Sequence, residues 1–108
     1  MYGPLYDPRY EKMIDKQMWH DWIKRQMEVV SGETLTKLSS EALQIDKNEL
    51  DKRLLPKQVN MNDWPPEVMT YVYGTQTLDV WGYVISSLEL DEMYVAGVVM
   101  NNQLKWSE

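Results

Sequence analysis

Residues that could perform acid–base or nucleophilic chemistry are few in this sequence. The chain has one histidine, His20, followed directly by Asp21, and no cysteine. None of its serines lies in the Gly-x-Ser-x-Gly turn that exposes a nucleophilic hydroxyl. Because consecutive residues of a helix point to different sides, we do not expect Asp21 to orient the His20 ring as a catalytic triad requires. We expect His20 to be a surface or half-buried helix residue, with a pH-sensing or catalytic role as the alternative.

Three carboxylates fall within four residues at Glu89, Asp91 and Glu92. Such a group could bind a hard cation or act as an acid–base pair, but it lacks the spacing of a calcium-binding loop. The five glycines are widely separated, so the sequence has no phosphate-binding loop. Without cysteine, thiolate metal sites and disulfides are excluded. We therefore expect no metal, no cofactor and no enzymatic activity.

The sequence uses aromatic residues and methionine in an unusual way. It contains five Trp, seven Tyr and eight Met but no Phe. Trp, Tyr and Met are enriched at protein–protein interfaces because they bury large areas and tolerate water, although a small Trp- and Met-rich core would give the same composition. The interface candidates are Trp19, Trp22, Ile23, Val98, Val99 and Trp106.

A second interpretation concerns DNA. The segments from Leu35 to Ile45 and from Leu50 to Leu54 resemble a helix-turn-helix in outline. In such a DNA-binding transcriptional regulator the DNA contacts would come from Lys47, Lys52 and Arg53. The chain has a net charge of −6, and DNA binding depends strongly on neutralising phosphates. Nucleic acid is therefore the alternative partner rather than the expected one.

The charges divide the chain into two layers. Residues 1–57 hold ten basic and ten acidic residues, whereas residues 58–108 hold one basic and seven acidic ones. We expect one domain over 1–108, with a charged layer 1–57 and an acidic, apolar-rich layer 58–108. A further interpretation is that six of these acidic residues mimic nucleic-acid phosphates. The six are Asp63, Glu67, Asp79, Glu89, Asp91 and Glu92.

The apolar spacing predicts a mainly helical chain. Asp7-Pro8 is typical of a helix start and Gly32 of a helix end, which predicts a helix over 8–30. Further helices are predicted over 35–45 and, after the capping residue Asp46, over 47–55; one continuous helix over 35–55 is the alternative. Residues 66–73 fit a short helix or a strand, and residues 78–88 fit an amphipathic helix.

The last segment has two interpretations. Asp91 as a cap favours a helix, whereas Asn101-Asn102 between apolar runs is typical of a tight turn in a β-hairpin; the helix is preferred. The expected fold is therefore a small bundle of four to five helices, with a C-terminal hairpin as the variant. No segment is long and apolar enough to span a membrane, so a cytoplasmic protein is expected.

These observations predict a small acidic accessory, inhibitor or assembly factor. It would act by steric contact with another protein or with itself. Its compact, motif-free sequence suggests a phage-encoded or virion-associated origin, and this suggestion rests on sequence style alone.

Overall fold

The chain folds into one antiparallel sheet and one long helix. The computed structural model describes residues 8–75, 79–89 and 92–108, with side chains from residue 18 onward. The sheet has five strands in the order β1-β2-β3-β4-β5, and each strand pairs with the next along the chain. The expected bundle of four to five helices is therefore wrong. The elements are α1 (Pro8–Ser31), β1 (Ser39–Asp46), β2 (Glu67–Gly74), β3 (Val80–Ser86), β4 (Met93–Met100) and β5 (Gln103–Ser107).

Helix α1 occupies the range that the sequence predicts for it. It begins at Pro8, and it ends where Gly32 takes a φ of 76° and donates its N–H to the Glu28 carbonyl at 2.8 Å. Glycine adopts this left-handed conformation without steric cost, so it terminates the helix. The predicted cap Asp7 lies outside the described residues. Within the described part of the chain, no helix has both the length and the apolar character to cross a lipid bilayer.

One face of the sheet packs against α1, mainly through β3 and β4. Ile23 and Met27 of the helix are fully buried there. Gly82 on β3 permits this close approach, because a Cβ at that position would lie 2.5 Å from the Ile23 side chain. The sheet contributes the apolar residues Tyr71, Tyr73, Val80, Val84, Ala96 and Val98 to this layer.

The opposite face of the sheet is covered by residues 47–66, which join β1 to β2. This segment forms three short 3-10 turns, so the helix predicted over 47–55 is wrong. Asp46, Asp51 and Asn60 each cap one turn by accepting a backbone N–H two residues later. The apolar side chains of this segment pack against apolar side chains of the sheet. The segment contributes Leu50, Leu54, Leu55, Val59, Met61 and Trp64, and the sheet contributes Val68, Tyr83, Ile85, Val95 and Val99.

The predicted helix over 78–88 is wrong, since Val80–Ser86 form the strand β3. The prediction failed because this central strand is buried on both faces. Val84 packs under α1, and its neighbour Ile85 packs under the 47–66 segment. A strand with two buried faces shows no polar–apolar alternation. Without that alternation, the chance helical spacing of its apolar residues was the strongest pattern in the sequence, and it predicted a helix.

The preferred helix in the last segment is also wrong. β4 and β5 form a hairpin whose turn residues Asn101 and Asn102 have φ values of 55° and 63°. Asparagine accepts this left-handed conformation more readily than most residues, and two such residues in succession match the turn that suits twisted antiparallel strands.

Candidate functional site

The six apolar candidates for a protein interface lie against the core. Ile23, Val98 and Val99 are fully buried. Three tryptophans are half-buried and also pack on the helix-side core; they are Trp19, Trp22 and Trp106. The packing of the chain on itself therefore accounts for all six side chains, and their contact with a partner stays a prediction.

Two aromatic pairs show how the half-buried tryptophans are held between α1 and the sheet. Trp19 meets the edge of Tyr71 at 6.0 Å between ring centroids, and Trp22 meets Trp106 at 5.3 Å. These near-perpendicular arrangements are favourable for aromatic rings. They anchor the helix at both sides of the sheet, to β2 and to β5.

The basic residues proposed for DNA contact are placed differently from a recognition helix. Residues 39–46 form β1 and residues 47–55 contain 3-10 turns, so the two helices of that interpretation are not found in this described segment. Lys47 Nζ donates to the Met61 and Trp64 carbonyls at 3.0 and 2.9 Å. Arg53 pairs with Asp51 through two bonds of 3.1 and 2.9 Å, and its guanidinium lowers the pKa of that carboxyl. Lys52 is exposed.

His20 has two close neighbours in the structure, one on its own helix and one on β2. Its Nδ1 lies 3.2 Å from Asp21 Oδ1, within hydrogen-bonding distance. Its ring also meets the edge of Tyr73 at 5.9 Å. Burial, together with the nearby Tyr71, raises the pKa of the Tyr73 hydroxyl. Tyr73 therefore keeps its proton further into the alkaline range than an ordinary tyrosine does.

The acidic residues of the second layer are scattered over turns and strand ends. The six that the structure describes are exposed, namely Asp63, Glu67, Asp79, Glu89, Glu92 and Glu108, whereas Asp91 lies outside the described residues. In the described part of the chain, no three histidine or carboxylate side chains converge in a way that could hold a metal ion.

The outer edge of β1 is a candidate binding surface. β1 is the first strand in the sheet order and pairs with β2 alone. Its eight residues run without a bulge from the pair Ser39–Gly74 to the pair Asp46–Glu67. Among the described residues, no strand lies along its other side, so that edge presents a row of backbone donors and acceptors.

The hydrogen-bond pattern tells which residues of β1 point outward. Lys47 N–H donates to the Pro66 carbonyl at 2.9 Å, which makes 47 and 66 a hydrogen-bonded pair. Such pairs alternate along an antiparallel ladder. Glu41, Leu43 and Ile45 therefore bond to β2. The backbone groups that face away from β2 belong to Ser40, Ala42, Gln44 and Asp46.

Both faces of β1 are also accessible. From Ser39 to Gln44 every residue is exposed, because α1 lies mainly over β3 and β4. Leu43, on the face opposite the helix, is 41% exposed. The sequence did not predict this strand because its polar residues fall on both faces, which removes the alternation by which strands are recognised.

The other sheet edge is protected against pairing. β5 has five residues, and its register with β4 shifts between Val98 and Val99. A short strand, a bulge and a lysine are devices that prevent edge-to-edge association, and Lys105 supplies the lysine. β1 has none of these within its span.

Comparison with known proteins adds no assignment: no family model, no curated protein and no solved structure matches this chain.

Proposed function

We propose that the protein binds another protein chain by strand addition at the free edge of β1. The observation that carries this proposal is the length and regularity of that edge. Strand addition is a recurring mode of protein recognition, in which backbone hydrogen bonds give affinity and alternate side chains give specificity. The protein would thus be an accessory or assembly factor that acts by contact. We keep the expectation of a cytoplasmic location, since a chain without cysteine needs no oxidising compartment.

The charges of β1 indicate what this edge accepts. The strand carries Glu41 and Asp46 and no basic residue. Asp46 is engaged in capping the first 3-10 turn, and Gln44 donates to the Glu67 carboxylate on β2. The edge is therefore mildly acidic, with one apolar contact point at Leu43. An extended segment without carboxylates opposite Glu41 would fit it.

A displayed library of random decapeptides tests the proposal while the natural partner is still unidentified. Peptides selected on the wild-type protein are measured against Ala42→Pro. Proline at 42 removes an outward N–H but no bond to β2, and edge strands tolerate proline at such positions. We expect affinity to fall at least tenfold, because one backbone bond and the close approach of the partner strand are both lost.

Ser107→Pro is the matched control on the protected edge. Glu108 N–H donates to the Ala96 carbonyl, so by alternation the Ser107 N–H points away from β4. We expect this variant to bind the selected peptides like the wild type. Equal binding by Ala42→Pro and the wild type, with both variants folded by circular dichroism, would contradict strand addition at β1.

A further inference from the structure

We infer that the chain bound at the β1 edge is a second copy of this protein, paired antiparallel through a two-fold axis at Leu43. This inference rests on the proposed function and names its partner. The two sheets would join into one sheet of ten strands, with β1 of each copy at the centre and both helices on the same face.

Symmetry restricts the register. An antiparallel pair related by a two-fold axis perpendicular to the sheet keeps the faces of both copies aligned. Residues that lie directly opposite each other must then share a face. The axis therefore lies midway between one residue of β1 and the same residue of the second copy. It does not lie level with the gap between two successive residues of the strand.

The exposed apolar residue selects which position lies on the axis. With Leu43 on the axis, its side chain packs against Leu43 of the second copy and removes apolar surface from water on both chains. Among the exposed large apolar side chains of the described residues, Leu43 is the one that lies on this strand. A two-fold at Ala42 would leave each leucine opposite Glu41 instead.

The same register places the charges favourably. Glu41 lies opposite Ile45 of the second copy, and Asp46 lies opposite Ser40. No carboxylate then faces a carboxylate across the pair, an arrangement that is destabilising when like charges are directly opposite. The strand is therefore self-complementary in this register even though each chain has a net charge of −6.

The backbone supports this pairing. Outward-facing residues then meet outward-facing residues, as Ala42 does with Gln44 of the second copy, so the N–H and C=O groups of both strands find partners. Leu43 and its counterpart form the pair without hydrogen bonds, in which the Cα atoms approach to about 4.5 Å. Pairing of β1 with the β5 edge of another copy is opposed by the bulge beside Lys105 and would not close on two chains.

Cysteine cross-linking tests the register, because the natural chain has no cysteine. We expect Leu43→Cys to form a disulfide-linked dimer under mild oxidation, since a Cα separation of about 4.5 Å permits the bond. Ser39→Cys is the control on the same face. In this register Ser39 lies eight residues from its counterpart, about 27 Å at about 3.4 Å per residue, and should remain unlinked.

Light scattering on the wild-type protein over a dilution series completes the test. We expect a dimer that dissociates on dilution, and a monomer at all concentrations for Ala42→Pro. A cross-link through Ala42→Cys in place of Leu43→Cys would overturn the register. A wild-type monomer that still binds selected peptides through β1 would overturn the second copy as partner and leave strand addition standing. A monomer whose peptide binding is insensitive to Ala42→Pro would overturn both.

Discussion

Tyr83 shows how a single residue couples the two layers of this fold. Its ring lies over Gly97 on β4, where a Cβ would come within 2.6 Å of it. Its hydroxyl donates to the Leu54 carbonyl in the segment that covers the sheet. One side chain therefore fills the space of a missing Cβ and holds the 47–66 segment in place.

Titration of Tyr83 should make the protein sensitive to alkaline pH. Burial raises the pKa of Tyr83 to about 12 from its ordinary 10.0. The folded state then holds this proton more tightly than the unfolded state. Its contribution to stability is complete below pH 10 and is lost as the pH rises through 12, at up to about 1.4 kcal/mol per pH unit.

Tyr83→Phe should flatten this dependence. Denaturant unfolding from pH 9 to 12 is expected to show a smaller loss of stability for the variant than for the wild type. At neutral pH the variant should be about 1 kcal/mol less stable, because the Leu54 carbonyl loses its donor. Identical pH slopes for the two proteins would show that Tyr83 is not the group responsible.

Among single residues, the residue type did not tell whether a large aromatic side chain packs in the core or lies at an interface. The chain is rich in Trp, Tyr and Met, and from the sequence we expected Trp22 and Trp106 at an interface. In the structure they pack on each other and on the core. The composition shows that the chain has many large amphipathic rings. Whether these rings pack within the chain or against a partner depends on the fold.

At the scale of elements, the irregular 47–66 segment covers one face of the sheet, as α1 covers the other. It runs from β1 to β2 by way of β5, which its second turn contacts. Its backbone makes few regular hydrogen bonds, so side chains must satisfy its polar groups. Lys47 does so for two carbonyls, those of Met61 and Trp64.

Lys47→Met should therefore destabilise the fold, whereas Lys52→Met should not. Methionine keeps the length of the lysine side chain but removes the donor, so two carbonyls lose a charged partner at a cost of about 2 kcal/mol. Lys52 is exposed, and such substitutions usually stay within about 0.5 kcal/mol. Thermal unfolding of both variants measures the difference. Equal stability of the two would mean that Lys47 is an ordinary surface cation.

Elements differ in how far the sequence could predict them. Helix α1 was predictable because proline, glycine and apolar spacing agree over 8–30. β1 and β3 were not, for opposite reasons: β1 is exposed on both faces, whereas β3 is buried on both. The candidate site is the edge of β1. It could not be predicted from the sequence, because most of these residues were expected to form a helix. The hairpin turn Asn101-Asn102 carried a usable signal, but the helix cap at Asp91 was given more weight.

For the whole molecule, net charge and sheet extension oppose each other. Each copy carries −6, so a dimer formed through β1 brings two acidic molecules together. The register at Leu43 separates the carboxylates locally but does not remove the repulsion between the two chains. Salt should therefore strengthen the dimer, because the screening length falls from about 30 Å at 0.01 M to about 8 Å at 0.15 M.

Hydrogen exchange read by NMR can follow this association residue by residue. In the monomer the amides of Glu41, Leu43 and Ile45 bond to β2 and should be protected, whereas those of Ala42 and Gln44 face water and should exchange fast. In the dimer the outward amides also gain partners. We expect their protection to rise with protein concentration and with salt, while that of the inward amides changes little. Fast exchange of the outward amides that does not change with protein concentration or salt would contradict the two-fold pairing, because in this pairing the second copy supplies the hydrogen-bond partners of those amides.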